Sequence, residues 1–182
     1  MPTEIEAKLK VESHEQIIRR LNELGAEFIS DHVHTDVYFD DDAGSLVKTD
    51  KALRVRRLLD GGRQRFYLTY KGPKEKTQPK KRQEIETEVT DGSSIEKLLS
   101  ALGYREALCF EKSRQTWRLG NCDIALDELA LLGCFVEIEG PDEEEIAQAQ
   151  SRLGLADLPH IQESYASLVA EQLGPQTSGA KP

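Results

Sequence analysis

Apolar and polar residues alternate strictly at the start of the chain. Over residues 4–11, Glu4, Glu6, Lys8 and Lys10 point one way, and Ile5, Ala7, Leu9 and Val11 point the other. A period of two predicts a strand with two unlike faces. The period then changes. Ile17, Ile18, Leu21 and Leu24 recur at helical spacing, Ser13 and Gln16 form a capping box ahead of them, and Gly25 supplies the stop. The same unit returns twice. Glu84-Ile85-Glu86-Thr87-Glu88-Val89 alternates and Asp91-Gly92 turns the chain. Ser93 and Glu96 form a second capping box, Ile95, Leu98, Leu99 and Leu102 make the stripe, and Gly103 ends it. The third copy starts at Phe135-Val136-Glu137-Ile138-Glu139, turns at Gly140-Pro141, opens an acidic helix at residues 142–145 that suits the helix dipole, and ends at Leu153-Gly154. Strand, helix and Leu-Gly, three times over, predict internal pseudo-symmetry.

Further strands lie between these units. Residues 53–56 and 65–71 alternate, with the hairpin signal Gly61-Gly62 between them, and residues 108–119 and 122–127 flank Gly120-Asn121. A last helix is expected at about residues 163–173, with Tyr165, Leu168, Val169 and Leu173 toward the core. The tail, 174–182, is rich in Gly, Pro, Ser and Thr and is expected to be disordered. A length of 182 residues suits one domain, 1–173, with a sizeable core.

The polar faces of these strands are charged throughout: Glu4, Glu6 and Lys8; Arg54 and Arg56; Arg65 and Lys71; Glu84, Glu86 and Glu88; Lys112 and Arg114; Glu137 and Glu139. On one strand such a face simply meets water. On six, with amphipathic helices that also need an apolar surface, one arrangement serves both. The sheet curls so that the charged faces look inward and helices pack outside. The expected fold is α+β, an eight-stranded antiparallel closed β-barrel with a polar lumen.

Charge supports this picture. The net charge of −9 argues against nucleic acid as the main partner. Residues 48–82, however, carry 13 Lys/Arg against three Asp/Glu, a surplus of ten, so the remainder of the chain stands at −19. A basic segment in an acidic chain points to an anionic ligand held by one part of the protein. Cys109, Cys122 and Cys134 show neither a disulfide framework nor a thiolate metal spacing, and His14, His32, His34 and His160 read as structural. There is no apolar leader and no run of 18 apolar residues, so the expected location is cytoplasmic, with no membrane partner.

A lumen lined by both signs has a chemical meaning. Facing carboxylates repel by roughly 3 kcal/mol per pair at 5 Å and an effective dielectric near 20. A divalent cation between them relieves this, and oxygen-only donors suit Mg²⁺ or Mn²⁺. Arg and Lys clamp phosphate oxygens. Metal and clamp together are the equipment of phosphoryl transfer.

Glu4-x-Glu6-x-Lys8 resembles the ExExK signature of the CYTH superfamily, the triphosphate tunnel metalloenzymes. Tyr38-Phe39-Asp40, Ala52-Leu53-Arg54-Val55-Arg56, Thr69-Tyr70-Lys71-Gly72-Pro73, Arg82-Gln83-Glu84-Ile85-Glu86, Glu111-Lys112-Ser113-Arg114, Ile124-Ala125-Leu126-Asp127-Glu128, Gly133-Cys134-Phe135-Val136-Glu137-Ile138-Glu139 and Ser164-Tyr165 follow in the family's order. The Tyr-Lys-Gly-Pro-Lys stretch and the Leu-Asp-Glu…Gly-x-Phe-Val-Glu-Ile-Glu ending are most similar to the class IV adenylyl cyclases. The resemblance implies an eight-stranded tunnel that binds a triphosphate with Mg²⁺ or Mn²⁺. It implies metal ligation by Glu4, Glu6, Asp127 and Glu137, and a triphosphate grip by Lys8, Arg54, Arg56, Lys71, Lys112 and Arg114, with Lys8, Lys112 and Arg114 nearest the chemistry. Glu84, Glu86 and Glu139 are candidates for a second metal or for lumen charges. The implied activity is conversion of ATP to cyclic AMP and pyrophosphate. Hydrolysis of inorganic or thiamine triphosphate is the alternative, and a noncatalytic polyphosphate-binding module stands behind both. A homodimer is the family-based expectation.

Overall fold

The computed structural model describes residues 3–75 and 80–174, without the side chains of residues 3, 4, 80 and 81. The expected tail lies, after Gly174, outside the described residues. In chain order the elements are β1 (Thr3–Val11), α1 (Glu15–Glu23), β2 (Glu27–Asp40), α2 (Ser45–Lys48), β3 (Ala52–Asp60), β4 (Arg63–Lys74), β5 (Lys80–Val89), α3 (Gly92–Ala101), β6 (Arg105–Leu119), β7 (Cys122–Leu129), β8 (Gly133–Glu139), α4 (Glu143–Arg152) and α5 (Tyr165–Leu173). Every sheet pairing is antiparallel, and the strands close in the order β1-β5-β4-β3-β2-β6-β7-β8. Closure runs through a short seam. Among the described residues, Thr3–Glu6 of β1 pairs with β5, meeting Gln83, Arg82, Lys81 and Lys80, whereas β2 and β6 pair along almost their whole lengths.

The three repeated units end alike. Gly25, Gly103 and Gly154 have φ of +69°, +92° and +76°, the left-handed region that suits glycine. After each, one amide returns to the helix: Ala26 N–H to the Leu21 carbonyl (2.9 Å), Tyr104 to Leu99 (3.0 Å), Leu155 to Gln150 (3.0 Å). These are three copies of one helix-terminating hydrogen-bond pattern. The helix starts differ from expectation. Asp91, not Ser93, caps α3, accepting from Ser93 N (3.0 Å). In α1 the Ser13–Gln16 box does not form, because the helix opens one residue later, at His14, without a side-chain cap. The Asp142 start of α4 is as read, its carboxylate accepting from Glu145 N (2.9 Å).

Apolar strand residues face out and helices cover them. Ile17 and Leu21 of α1, Ile146 and Ala149 of α4, and Leu153 just after it pack on Ala7, Leu9, Ile124, Leu126, Val136 and Ile138. Leu99 and Ile95 of α3 cover Phe39 and Val55. The last helix, α5, sits across one end of the barrel. Its Tyr165 and Val169 pack on Leu129 and Phe135, which alternation places on the same strand face as Asp127 and Glu137. The lumen face itself therefore turns apolar there. Among the described residues, no helix is long and apolar enough to cross a membrane.

Gly92, the first residue of α3, lies against a ring. A Cβ there would stand 2.4 Å from Phe66 Cδ1. Gly92→Ala is expected to lower stability by about 1–3 kcal/mol, the scale of overpacking. Ser93→Ala, at an exposed position, should stay within about 0.5 kcal/mol. Urea melts of the two variants check this.

Candidate functional site

Every strand turns its alternate, charged residues inward around a cavity of about 580 Å³. Its wall includes Glu6 and Lys8 of β1, Asp36 and Tyr38 of β2, Arg54 and Arg56 of β3, Lys71 of β4, Arg82, Glu84 and Glu86 of β5, Lys112, Arg114 and Thr116 of β6, Asp123 and Ala125 of β7, and Glu137 and Glu139 of β8. Ser164 and Tyr165 add to it from the start of α5.

Two buried aspartates organise the cations. Asp36, 2% exposed, stands across from Arg56 in the β2–β3 ladder. Arg56 donates Nε and Nη2 to its two oxygens at 2.6 and 2.7 Å, and Arg54 Nη1 lies 3.5 Å away. Burial pushes the Asp36 carboxyl up, but the Arg54 and Arg56 charges outweigh it and hold the group well below the usual carboxylate range. Asp127, fully buried, does the same on the other side. It accepts Arg114 Nε and Nη2 at 2.6 and 2.5 Å and Lys112 Nζ at 3.0 Å. Its carboxyl is likewise depressed, because Arg114 and Lys112 overcome the effect of burial. Each aspartate therefore fixes two basic residues two positions apart on a neighbouring strand, Arg54 and Arg56 or Lys112 and Arg114.

The remaining groups connect these pairs. Arg114 also donates to Glu137, and Lys8 Nζ lies 3.4 Å from Glu137 Oε1. Arg54 and the Thr69 hydroxyl both donate to Glu86 (3.2 and 2.7 Å), and Lys71 pairs with Glu84 (2.5 Å). Arg82 donates to the Gly72 carbonyl from Nε and Nη2 (2.9 and 2.6 Å) and to the Asp50 carbonyl (3.3 Å), tying the rim together. Lys112 is buried against Arg114, and burial first and that charge second bring its ammonium down to about 8, against the pull of Asp127 and Glu137. His34, inward on β2 beside Arg56, Lys112 and Arg114, is held neutral by burial and by those charges, its pKa lowered to about 2.

The structure brings together most of the residues singled out in the sequence. Lys8, Arg54, Arg56, Lys71, Lys112 and Arg114 all line the cavity, as do Glu6, Glu84, Glu86, Glu137 and Glu139. Asp127 lies behind the wall with both oxygens engaged by Lys112 and Arg114, so here it anchors cations. The Glu4 side chain falls outside the described residues. Register places Glu6 directly across from Glu139, and Glu139 across from Asp123. Among the described residues no three carboxylates or other donors converge closely enough to form a ready-made metal cluster. Asp36, Arg82, Thr116 and Asp123 were not legible as site residues. Asp36 sits in β2, whose polar outward positions such as Thr35 blur the alternation.

A family model described as CYTH domain matches residues 2–165. The chain belongs to the CYTH family. A Methanocaldococcus jannaschii protein that carries a provisional adenylate cyclase name is 32% identical over 136 residues, 75% of this chain and 75% of that one. Adenylate cyclase CyaB of Aeromonas hydrophila is 27% identical over 180 residues, 93% of this chain and 90% of its own. Among solved CYTH-like structures, the PH1819 protein of Pyrococcus horikoshii superposes with a TM-score of 0.77 at 33% identity, covering 93% and 99% of the two chains. A Hippeastrum protein, described as an adenylyl cyclase candidate with a dominant triphosphatase activity, shares the fold at a TM-score of 0.68 and 18% identity, over 93% and 94%. The CYTH match spans all eight strands and stops at Tyr165, the first residue of α5.

The buried aspartates give a direct expectation. Asp36→Ala leaves Arg54 and Arg56 without their shared counter-charge and should cost about 3–5 kcal/mol, as for a broken buried ion pair. Denaturant melts read the loss. The ammonium of Lys112 has its own signature, a side-chain resonance that titrates near pH 8 in the folded protein instead of near 10.5. Between those values the unfolded chain holds the proton that folded Lys112 has released, so this residue's contribution to stability rises with pH across that window. A Lys112 resonance still unshifted at pH 9.5 would contradict it.

Proposed function

We propose that this CYTH chain is a divalent-metal-dependent enzyme acting on a triphosphate inside the lumen, and that it converts ATP to cyclic AMP and pyrophosphate. The observation that carries the reading is the pair of anchored cation sets. Arg54 with Arg56, and Lys112 with Arg114, are held by Asp36 on the wall and by Asp127 behind it while still lining the cavity. Cations fixed in place before the ligand arrives need little reorganisation when phosphate charge builds up. The cyclase assignment draws on the names of the two curated relatives.

The metal reading rests on donor chemistry. Glu6 and Glu139 face each other across β1 and β8, and Glu137 is the partner of Lys8 one inward position along. These oxygen donors fit Mg²⁺ or Mn²⁺. Glu6, Glu137 and Glu139 would hold the ion, with Glu4 two residues before Glu6 on β1; Asp127 would join only if Arg114 let go of it. A bound divalent ion supplies positive charge to phosphate oxygens. The chain supplies the rest. Arg54, Arg56 and Lys71 bind and orient the phosphates, and Lys8, Lys112 and Arg114 neutralise charge at the reacting phosphorus. The ribose 3′-oxygen attacks the α-phosphorus, the bond to the pyrophosphate oxygen breaks, and the hydroxyl proton is lost to solvent or a nearby base. Because the nucleophile belongs to the substrate, orientation and neutralisation account for the protein's part.

One observation favours a second reading. Tyr38, Thr116, Ala125, Ser164 and Tyr165 are the uncharged residues on the cavity wall, which offers little apolar surface to a base. Inorganic or thiamine triphosphate, attacked by water at the terminal phosphorus, would need none. The Hippeastrum neighbour is described as having a dominant triphosphatase activity.

Incubation with ATP, and separately with inorganic triphosphate, in Mg²⁺ or Mn²⁺ separates the readings when the products are resolved by chromatography. Cyclic AMP supports the first and orthophosphate the second, while no product in either mixture refutes both. Arg56→Ala should lower kcat/KM by about 2–4 kcal/mol of transition-state stabilisation, on the order of 30- to 1000-fold. Arg57, which faces outward and donates to Thr35 Oγ1 at 3.1 Å, is the control and should tolerate Ala. Glu6→Gln should keep the fold and abolish metal-dependent turnover. On the alkaline side kcat/KM should fall near pH 8, where the Lys112 ammonium loses its proton.

A further inference from the structure

Lys8 and Lys112 lie on strands that are not neighbours. In sheet order β7 and β8 separate β6 from β1. Yet both ammonium groups come to one aromatic ring. Lys8 Nζ stands 4.1 Å from the centroid of Tyr165, and Lys112 Nζ stands 4.8 Å from it. The ring belongs to neither strand: it enters from α5, across the end of the barrel.

We propose that Tyr165 is a positioning residue whose ring is a shared platform for the Lys8 and Lys112 ammonium groups. It holds both toward the lumen, ready for the oxygens of a triphosphate. The inference rests on the triphosphate reading of the lumen given above. The electron-rich face of an aromatic ring attracts a cation, most strongly when water is excluded. Both lysines are buried, 2% and 3% exposed, so the attraction is little screened. Two ammonium groups drawn to one another's vicinity would otherwise repel, and each has a carboxylate that would draw it aside: Glu137 at 3.4 Å for Lys8, Asp127 at 3.0 Å for Lys112. The ring offers both a second attraction beside those acids.

Packing, not the hydroxyl, sets the ring. Phe135 meets it edge-on, with centroids 5.2 Å apart and planes at 80°. The α5 start is fixed by Ser164, whose side chain accepts from Ser167 N at 3.1 Å, and Lys8 Nζ also donates to the Glu163 carbonyl at 2.9 Å. The Tyr165 hydroxyl is buried beside Asp127, without a hydrogen bond of ordinary geometry. A phenyl ring should therefore do the same work, and an aliphatic side chain of similar bulk should not.

The test uses the full chain and inorganic triphosphate as the probe. Calorimetric titration should give Tyr165→Phe an affinity within about threefold of the parent, and Tyr165→Leu an affinity about tenfold weaker, the scale expected when two cation–ring contacts are lost. Phenylalanines carrying increasing numbers of ring fluorines at position 165 keep the shape and drain the ring face, so affinity should fall in step with fluorination. Stepwise loss in that series supports the platform even if Tyr165→Leu does not fold. Equal affinity across the series, or Tyr165→Phe as weak as Tyr165→Leu, overturns it. The lysine ε-methylene resonances provide a reading independent of binding. Ring-current shifts of Lys8 and Lys112 should be present in the parent and in Tyr165→Phe. If the parent binds no triphosphate, the lumen reading fails, while shifted lysine resonances still support the ring contact; unshifted ones overturn the platform itself.

Discussion

A carboxylate removed from water stays ionised only if cations meet its oxygens, and the interior of this barrel is arranged around that requirement twice. Asp36 and Asp127 are almost or wholly inaccessible, and each is satisfied by two basic residues from an adjoining strand. The arrangement is strict because the basic residues are two positions apart and so share a face. The second charge of each set is met by a further acid, Glu86 for Arg54 and Glu137 for Arg114. The basic side chains line the cavity while these acids hold them in place. Removing the acid would not free a cation for a ligand; it would release the side chain from the geometry that makes it useful.

The outer surface solves a different problem with a repeated device. Each strand–helix unit finishes in a glycine with positive φ and the same returning hydrogen bond, so each helix is turned back along the outside of the sheet. The helices then bury the outward apolar residues, and the inward residues are left free to be charged. Burial outside and charge inside are one constraint: without α1, α3 and α4 the sheet would have no apolar core to close around. At the end covered by α5 the rule reverses and the inward face itself becomes apolar around Leu129 and Phe135.

Much of this was legible in the sequence because a period of two leaves little freedom. Glu6, Lys8, Arg54, Arg56, Lys112, Arg114, Glu137 and Glu139 were placed on inward faces by alternation alone, and they line the cavity. The misses have physical causes. Asp36 went unseen because β2, paired on both sides over a long stretch, carries polar residues outward as well as inward, so no clean alternation marks it. Asp127 was read as facing the ligand, and its parity is right, but parity does not report depth or which cation arrives first. The helix caps differed by a residue or two, Asp91 in place of Ser93, because more than one residue near a helix start could accept the free amides. Tyr165 could be assigned to a helix but not to a lysine on a distant strand, since only the closed barrel brings β1 and β6 to the same place.

The short seam between β1 and β5 has a consequence for how molecules of this protein meet one another. Beyond Gln83, the described part of β5 runs on through Val89 with β4 on one side and no described partner on the other, and Ile85 on its outer face is half exposed. Such a stretch is an invitation for a strand from another chain to add on. Here it alternates Glu84, Glu86 and Glu88, and an incoming copy would have to bring its own glutamates against them. The acids that furnish the lumen thus also set like charge along this stretch of β5, which disfavours the addition of an identical strand.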